Sequence, residues 1–226
     1  MKKIFLFFLI YLSQFLSLSS NELKLEEVIK GLNNPWSLSF ITNKDILITE
    51  KSGSLLKINL NNKKIEKLTH NLNILEDGQG GLLEVLFNDN EIFVSFSENR
   101  GDGKSSTSVA KASITNSDLN FKNIFRAEPP INSGYHFGSR LVVKDNYLFI
   151  TAGERGKGMI AQDGTKHPGS IIRIHLDGSI PNNNPKFENR KNWLPEIYQI
   201  GVRNPQGMAL SPFDGKIYLT NHGAKG

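Results

Sequence analysis

Residues 37–53 read SLSFITNKDILITEKSG: a short apolar run, a polar turn, a second apolar run, then a polar loop closing on glycine. The same order recurs in 82–101 (LLEVLFNDNEIFVSFSENRG), 139–156 (SRLVVKDNYLFITAGERG) and 207–226 (GMALSPFDGKIYLTNHGAKG). The turns are Asn43-Lys44-Asp45, Asn88-Asp89-Asn90, Lys144-Asp145-Asn146 and Phe213-Asp214-Gly215, which carry β-hairpin chemistry. The second runs are rich in β-branched and aromatic residues, as strands prefer. A third apolar run follows in three units, at Ser54 to Ile58, Val109 to Ile114 and Ser170 to Ile174. The units start at Ser37, Leu82, Ser139 and Gly207, hence 45, 57 and 68 residues apart. Four-stranded propeller blades are roughly 40–50 residues long, with room for insertions. Outside the first twenty residues no stretch holds a helical period. The pattern predicts an all-β chain built as a β-propeller, with about four blades. The polar stretches 158–168 and 182–193 read as loop insertions. A β-sandwich with coincidental hairpins is the competing architecture.

The fourth unit stops at Gly226, before any third strand. The expectation is therefore a partial propeller over residues 21–226, truncated at its C-terminus, with an unpaired edge. Within a blade, strand one crosses from face to face and strand two returns. The loop before strand one and the loop after strand two thus share a face. That rule gathers Asp77 to Gly81, Tyr135 to Gly138 and Arg203 to Gln206 with Glu50-Lys51, Glu98 to Arg100, Glu154-Arg155 and Asn221 to Ala224. Titratable groups clustered around a concave channel mark the default site.

Charge and composition narrow the partners. The formal charge is +5, of which Lys2 and Lys3 contribute two. Lys and Arg are scattered, without a basic helix or an aromatic–basic alternation, so nucleic acid is not an expected partner. The chain has no cysteine, which excludes disulfides and thiolate metal sites. Residues 1–20 read as an export signal: Lys2-Lys3, the apolar run from Ile4 to Leu12, and small residues around Ser17 and Ser19. Ser13 and Gln14 interrupt the apolar run, and a spanning helix needs about 20 apolar residues. The expectation is a periplasmic or secreted protein with no stable membrane span after cleavage.

His136 has the chemistry of a general base, because histidine changes charge near neutrality. Its position also fits a histidine packed beneath the loop by Phe137. Arg203 can bind a carboxylate or polarise an oxyanion through its planar fork, and it can equally bond loop carbonyls. Gln79 lies between glycines that let backbone approach a ligand. His167, beside Pro168, reads as a loop residue. Asp177-Gly178-Ser179 reads as a turn, since it lacks the glutamate that completes an EF-hand loop.

The runs Pro35-Trp36-Ser37-Leu38, Gly78-Gln79-Gly80-Gly81, His136-Phe137-Gly138-Ser139-Arg140, Gly153-Glu154-Arg155-Gly156 and Arg203-Asn204-Pro205-Gln206-Gly207 resemble the soluble aldose sugar dehydrogenases of the glucose/sorbosone dehydrogenase family. So do Gln162-Asp163-Gly164, Gly169 to Arg173 and Asp177 to Pro181. That resemblance implies a six-bladed propeller that carries pyrroloquinoline quinone (PQQ) and Ca2+. It implies oxidation of a sugar's anomeric hydroxyl to a lactone, by base-assisted hydride transfer to PQQ. His136 matches the base, Arg203 a cofactor contact that stabilises developing negative charge, and Asn204 a neighbouring cofactor contact. Gln79 matches a substrate residue. Glu154 stands where the family usually has Asp, orienting the base. Gly223 and Ala224 match the residues whose carbonyls bind calcium, with Ala224 in place of the usual Pro. Asn221 replaces a common Glu. The implied partners are a sugar and an external electron acceptor, a quinone or a cytochrome. The 226 residues alone are expected to bind PQQ poorly. A calcium-dependent propeller hydrolase of the lactonase type and a non-catalytic sugar-binding propeller are the alternatives.

Overall fold

A computed structural model describes residues 23–185 and 192–223. The chain divides into two units, Met1–Lys30 and Gly31–Gly226. In the first, the described residues 23–30 are irregular. The predicted signal, residues 1–20, lies outside the described residues, as do Ala224 and part of the 182–193 insertion.

The second unit is a succession of antiparallel sheets, the blades of a propeller. Blade one holds β1 (Pro35–Phe40), β2 (Asp45–Glu50), β3 (Leu55–Asn59) and β4 (Ile65–His70), neighbours in that order. Blade two holds β5 (Leu82–Asn88), β6 (Glu91–Asn99), β7 (Ser105–Ser113) and β9 (Lys122–Arg126); the short β8 (Asp118–Leu119) instead pairs in parallel with β4. Blade three holds β10 (Gly138–Lys144), β11 (Tyr147–Ala152), β12 (Ser170–His175) and β13 (Ile197–Ile200). The fourth sheet has two strands among the described residues, β14 (Pro205–Leu210) and β15 (Ile217–Asn221). Among the described residues the sheets do not close into a ring.

The hairpins follow the sequence. Asp89-Asn90 and Asp145-Asn146 form two-residue loops with φ of 48° and 63°, and 51° and 62°. Both central residues are left-handed, the type I′ geometry that Asn and Asp tolerate. The 158–168 stretch departs from a plain loop: Gly158–Gln162 makes one 3-10 turn. Strand β7 begins at Ser105, four residues before its apolar run. Its opening residues Ser105 to Ser108 are buried, because each finds a partner. Thr107 Oγ1 donates to the Phe137 carbonyl at 2.8 Å, and Ser108 Oγ donates to Glu98 at 2.7 Å. The outer strands β4, β9 and β13 show no clear apolar run, and β4 alternates exposed residues with half-buried ones and the buried Leu68.

Apolar side chains fill the spaces between consecutive blades. Leu47, Leu55, Leu82, Val94 and Phe96 pack between blades one and two. Phe93, Val109, Leu141, Leu148 and Ile172 pack between blades two and three. Strand β6 therefore serves both cores, with Val94 and Phe96 on one face and Phe93 on the other. Burial on both faces explains its unbroken apolar run.

A repeated hydroxyl sets the blades against each other. In each of the first three blades, strand one carries a register shift near its start, at Pro35/Ser37, Leu82/Val85 and Gly138/Leu141. A bulge frees a backbone N–H from the ladder. Thr49, Ser95 and Thr151, all fully buried, take up the freed N–H groups of Ser37, Glu84 and Arg140. Each hydroxyl then donates to a strand-one carbonyl of the next blade: Leu83 at 2.5 Å, Ser139 at 2.6 Å and Pro205 at 3.2 Å. One side chain thus satisfies two buried backbone groups and fixes the angle between blades.

Arg140 adds an ionic tie. It pairs with Glu84 of blade two and donates from Nε to the Gln206 carbonyl of blade four at 2.6 Å. Burial pushes the Glu84 carboxyl up from its ordinary value, although Arg140 opposes the shift. Arg140→Met leaves that carboxylate buried without its cation, which costs about 3 kcal/mol at neutral pH. A carboxyl with a raised folded value is favoured by folding at low pH and opposes it as pH rises. The deficit of Arg140→Met, measured by urea unfolding, therefore shrinks as pH falls towards 4.5.

Candidate active site

The loops before strand one and after strand two meet on one face, where the blade rule puts them. Their glycines permit the approach. A Cβ on Gly153 would lie 2.1 Å from the His136 carbonyl oxygen, and a Cβ on Gly78 would lie 2.4 Å from that of Gly134. No side chain fits at either point. His136 itself has φ of 52°, unusual for a non-glycine residue. Such a conformation costs on the order of 1 kcal/mol or more and persists only where the surroundings hold it.

They do hold it. The His136 N–H donates to Gln79 Oε1 at 2.9 Å, and the Gln79 N–H donates to the Gly134 carbonyl at 2.7 Å. The Arg155 N–H donates to the His136 carbonyl at 3.3 Å. The ring meets Glu154, with Nδ1 2.5 Å from Oε1. His136 is 9% exposed and Glu154 3%.

Burial raises the Glu154 carboxyl, but the Gly158 N–H, His136 and the Lys157 N–H together outweigh it. The net effect holds the group below the usual carboxylate value. The Gly158 N–H reaches Oε2 at 2.9 Å. An ionised carboxylate only accepts hydrogen bonds. In the neutral imidazole the proton between the two groups therefore sits on Nδ1, which leaves Nε2 as the acceptor nitrogen.

Arg203 approaches the same carboxylate oxygen, with Nε 3.8 Å from Glu154 Oε1. Its carbonyl accepts from the Glu154 N–H at 2.8 Å. One Arg203 nitrogen, Nη1, donates to the carbonyls of His222 at 3.1 Å and Gly223 at 3.4 Å. The side chain is one-third exposed, 34%. Asn204 is placed differently from a channel residue. It is 2% exposed, and its Oδ1 accepts from the Gly138 N–H and from Gln206 Nε2, both at 3.2 Å.

Asn221, which replaces a common Glu of the family, braces the neighbouring loop. Its Oδ1 accepts from the backbone N–H of both Arg203 and Asn204, at 3.1 and 2.9 Å, and so shapes the loop that presents Arg203. His167 is buried, at 4%, and is no ordinary loop residue. It accepts the Glu128 N–H at Nδ1, bonds Glu196 from Nε2 at 2.9 Å, and stands edge-on to Phe125. The structure does not bring it to His136's cluster. Among the described residues no group of three His, Cys, Asp or Glu side chains is arranged to hold a metal ion.

Against known proteins, the family described as glucose/sorbosone dehydrogenase matches residues 32–226. The chain belongs to that family. Aldose sugar dehydrogenase YliI of Escherichia coli (strain K12) is 35% identical over 233 residues, covering 98% of this chain and 62% of the relative. Quinoprotein glucose dehydrogenase B of Acinetobacter calcoaceticus is 26% identical over 245 residues, covering 93% and 50%. The chain thus spans between half and two-thirds of the length of these family members. The soluble aldose sugar dehydrogenase of Escherichia coli, solved in its apo-form, superposes with a TM-score of 0.82 at 35% identity, covering 88% of this chain and 60% of that one. The PQQ-bound aldose sugar dehydrogenase of Streptomyces coelicolor gives 0.74 at 22% identity, covering 88% and 59%, a likeness of fold.

Proposed function

We propose that this propeller is part of a quinoprotein that oxidises the anomeric hydroxyl of aldose sugars to lactones. The observation that carries the proposal is the buried His136–Glu154 pair, 2.5 Å apart, with the Arg203 cation beside the same carboxylate. Glu154 fixes the proton on Nδ1 and aims the ring. Nε2 of His136 takes the proton of the sugar hydroxyl, as general base. The half-buried Gln79 has spent Oε1 on the His136 backbone, so its Nε2 is the atom left to bind a sugar hydroxyl.

PQQ, when bound, supplies the acceptor for the hydride that leaves the sugar. The Acinetobacter relative, a quinoprotein glucose dehydrogenase, supports a quinone as the cofactor. So does the site. PQQ is anionic, and Arg203 presents a part-exposed guanidinium whose Nη2 makes no hydrogen bond among the described residues. Arg203 is the residue that would hold the quinone, as a fixed positive charge. The buried Asn204 would contribute through the loop it braces. Calcium stands apart. It takes roughly six to eight oxygen ligands, and the described residues offer the Gly223 carbonyl, already facing Arg203. They do not build a calcium shell, and no step is assigned to the ion.

Residues 1–20 support export to the periplasm or beyond, and the electrons would pass on to an external quinone or cytochrome. The test is reconstitution of the intact gene product with PQQ and Ca2+, followed by dye-coupled oxidation of a panel of aldoses. The expected result is saturable binding of PQQ and aldose-dependent dye reduction. PQQ binding without oxidation of any sugar would leave a binding propeller instead.

A further inference from the structure

Arg155 follows Glu154 in the chain, and its side chain is nearly absent from the surface, at 2% exposure. It sits at φ of 59°, a left-handed conformation that sends the side chain away from that of Glu154 and under the His136 loop. There the guanidinium grips backbone. Nε donates to the Tyr135 carbonyl at 2.9 Å, and Nη2 donates to the Ser133 carbonyl. Nη1 and Nη2 donate to the Ser105 carbonyl and hydroxyl of blade two at 2.7 and 3.0 Å. The guanidinium carbon stacks over the Phe137 ring, 3.7 Å from its centroid. Among the described residues no carboxylate pairs with it. Burial lowers it to about 10, while the charge of Asp77 acts the other way. It therefore remains a cation at neutral pH, solvated by carbonyls and an aromatic face.

The residues it holds are Ser133, Tyr135 and Phe137, which bracket His136 on both sides. A surface loop would not need a buried cation, whereas a strained histidine that must meet a carboxylate at 2.5 Å does need a fixed backbone. We propose that Arg155 is a positioning residue for His136. Glu154 sets the imidazole ring, and Arg155 sets the backbone that carries it. The inference rests on the reading of His136 as the base, but its geometry is independent of which sugar is used.

The test compares wild type, Arg155→Lys and Arg155→Met in the intact gene product. The first readout needs no cofactor. It is the downfield proton resonance of the His136 Nδ1–H bonded to Glu154, assigned by its loss in His136→Asn. The second is steady-state oxidation with PQQ supplied. Lysine keeps a cation but loses the planar fork that reaches three carbonyls at once. The expected result for folded Arg155→Lys is a broadened or lost resonance and kcat lower by roughly 10- to 100-fold, with KM barely changed. Arg155→Met shows the same signs more strongly, and Arg155→Lys decides the matter should Arg155→Met not fold. A native resonance together with native kcat in Arg155→Lys overturns the proposal. Should wild type oxidise no aldose, the proposed activity fails, and the resonance alone still decides whether Arg155 positions His136.

Discussion

Replacing His136 by alanine in the intact gene product is expected to lower aldose-dependent dye reduction by roughly a hundred- to ten-thousand-fold, the range a positioned general base supplies. The fold should survive, since His136 contributes no side chain to the cores between blades. Alanine also leaves Glu154 buried without its nearest partner. His136→Asn separates the two effects. Its amide nitrogen stands in for Nδ1 as a donor to Glu154, and it has no proton acceptor in place of Nε2. The account therefore expects His136→Asn to keep the thermal stability of wild type while remaining as inactive as His136→Ala. Activity in His136→Asn within tenfold of wild type would remove His136 from the role of base.

The second large effect is expected at Arg203. Its part-exposed guanidinium lies 3.8 Å from the Glu154 carboxylate that His136 meets. A preorganised donor aimed at developing negative charge supplies roughly a hundredfold or more. Arg203→Met should therefore slow sugar oxidation about a hundredfold and weaken PQQ retention, read by titrating the quinone and following its absorbance. Arg203→Lys restores the charge without the fork and should recover retention better than rate. Equal PQQ affinity in wild type and Arg203→Met would place the quinone elsewhere.

Much of this architecture is legible in the chain because it repeats. Four hairpins in the same order, with Asn and Asp in their turns, give the blades and the face on which loops converge. Thr49, Ser95 and Thr151 are visible too, each in the same place within its second strand, but what a buried hydroxyl bonds to is a matter of the next blade. The outer strands β4, β9 and β13 escaped because one of their faces meets solvent, which breaks up the apolar run. At the site, His136, Glu154, Arg203 and Gln79 could be gathered by the blade rule and by family resemblance. The division of labour among them could not. Gln79 and Asn204 bond backbone, Asn221 shapes the Arg203 loop, and Arg155 is buried despite its charge. Each of these depends on a partner 18 to 66 residues away, which no local pattern encodes.

The central claim is that a proton leaves the sugar towards His136 while a hydride leaves C1. It is tested most directly by oxidising glucose and glucose deuterated at C1 side by side, with the intact gene product supplied with PQQ and Ca2+. The account predicts a lactone as the product and a several-fold slower single turnover with the deuterated sugar. Equal single-turnover rates for the two sugars, or a product other than the lactone, would contradict it.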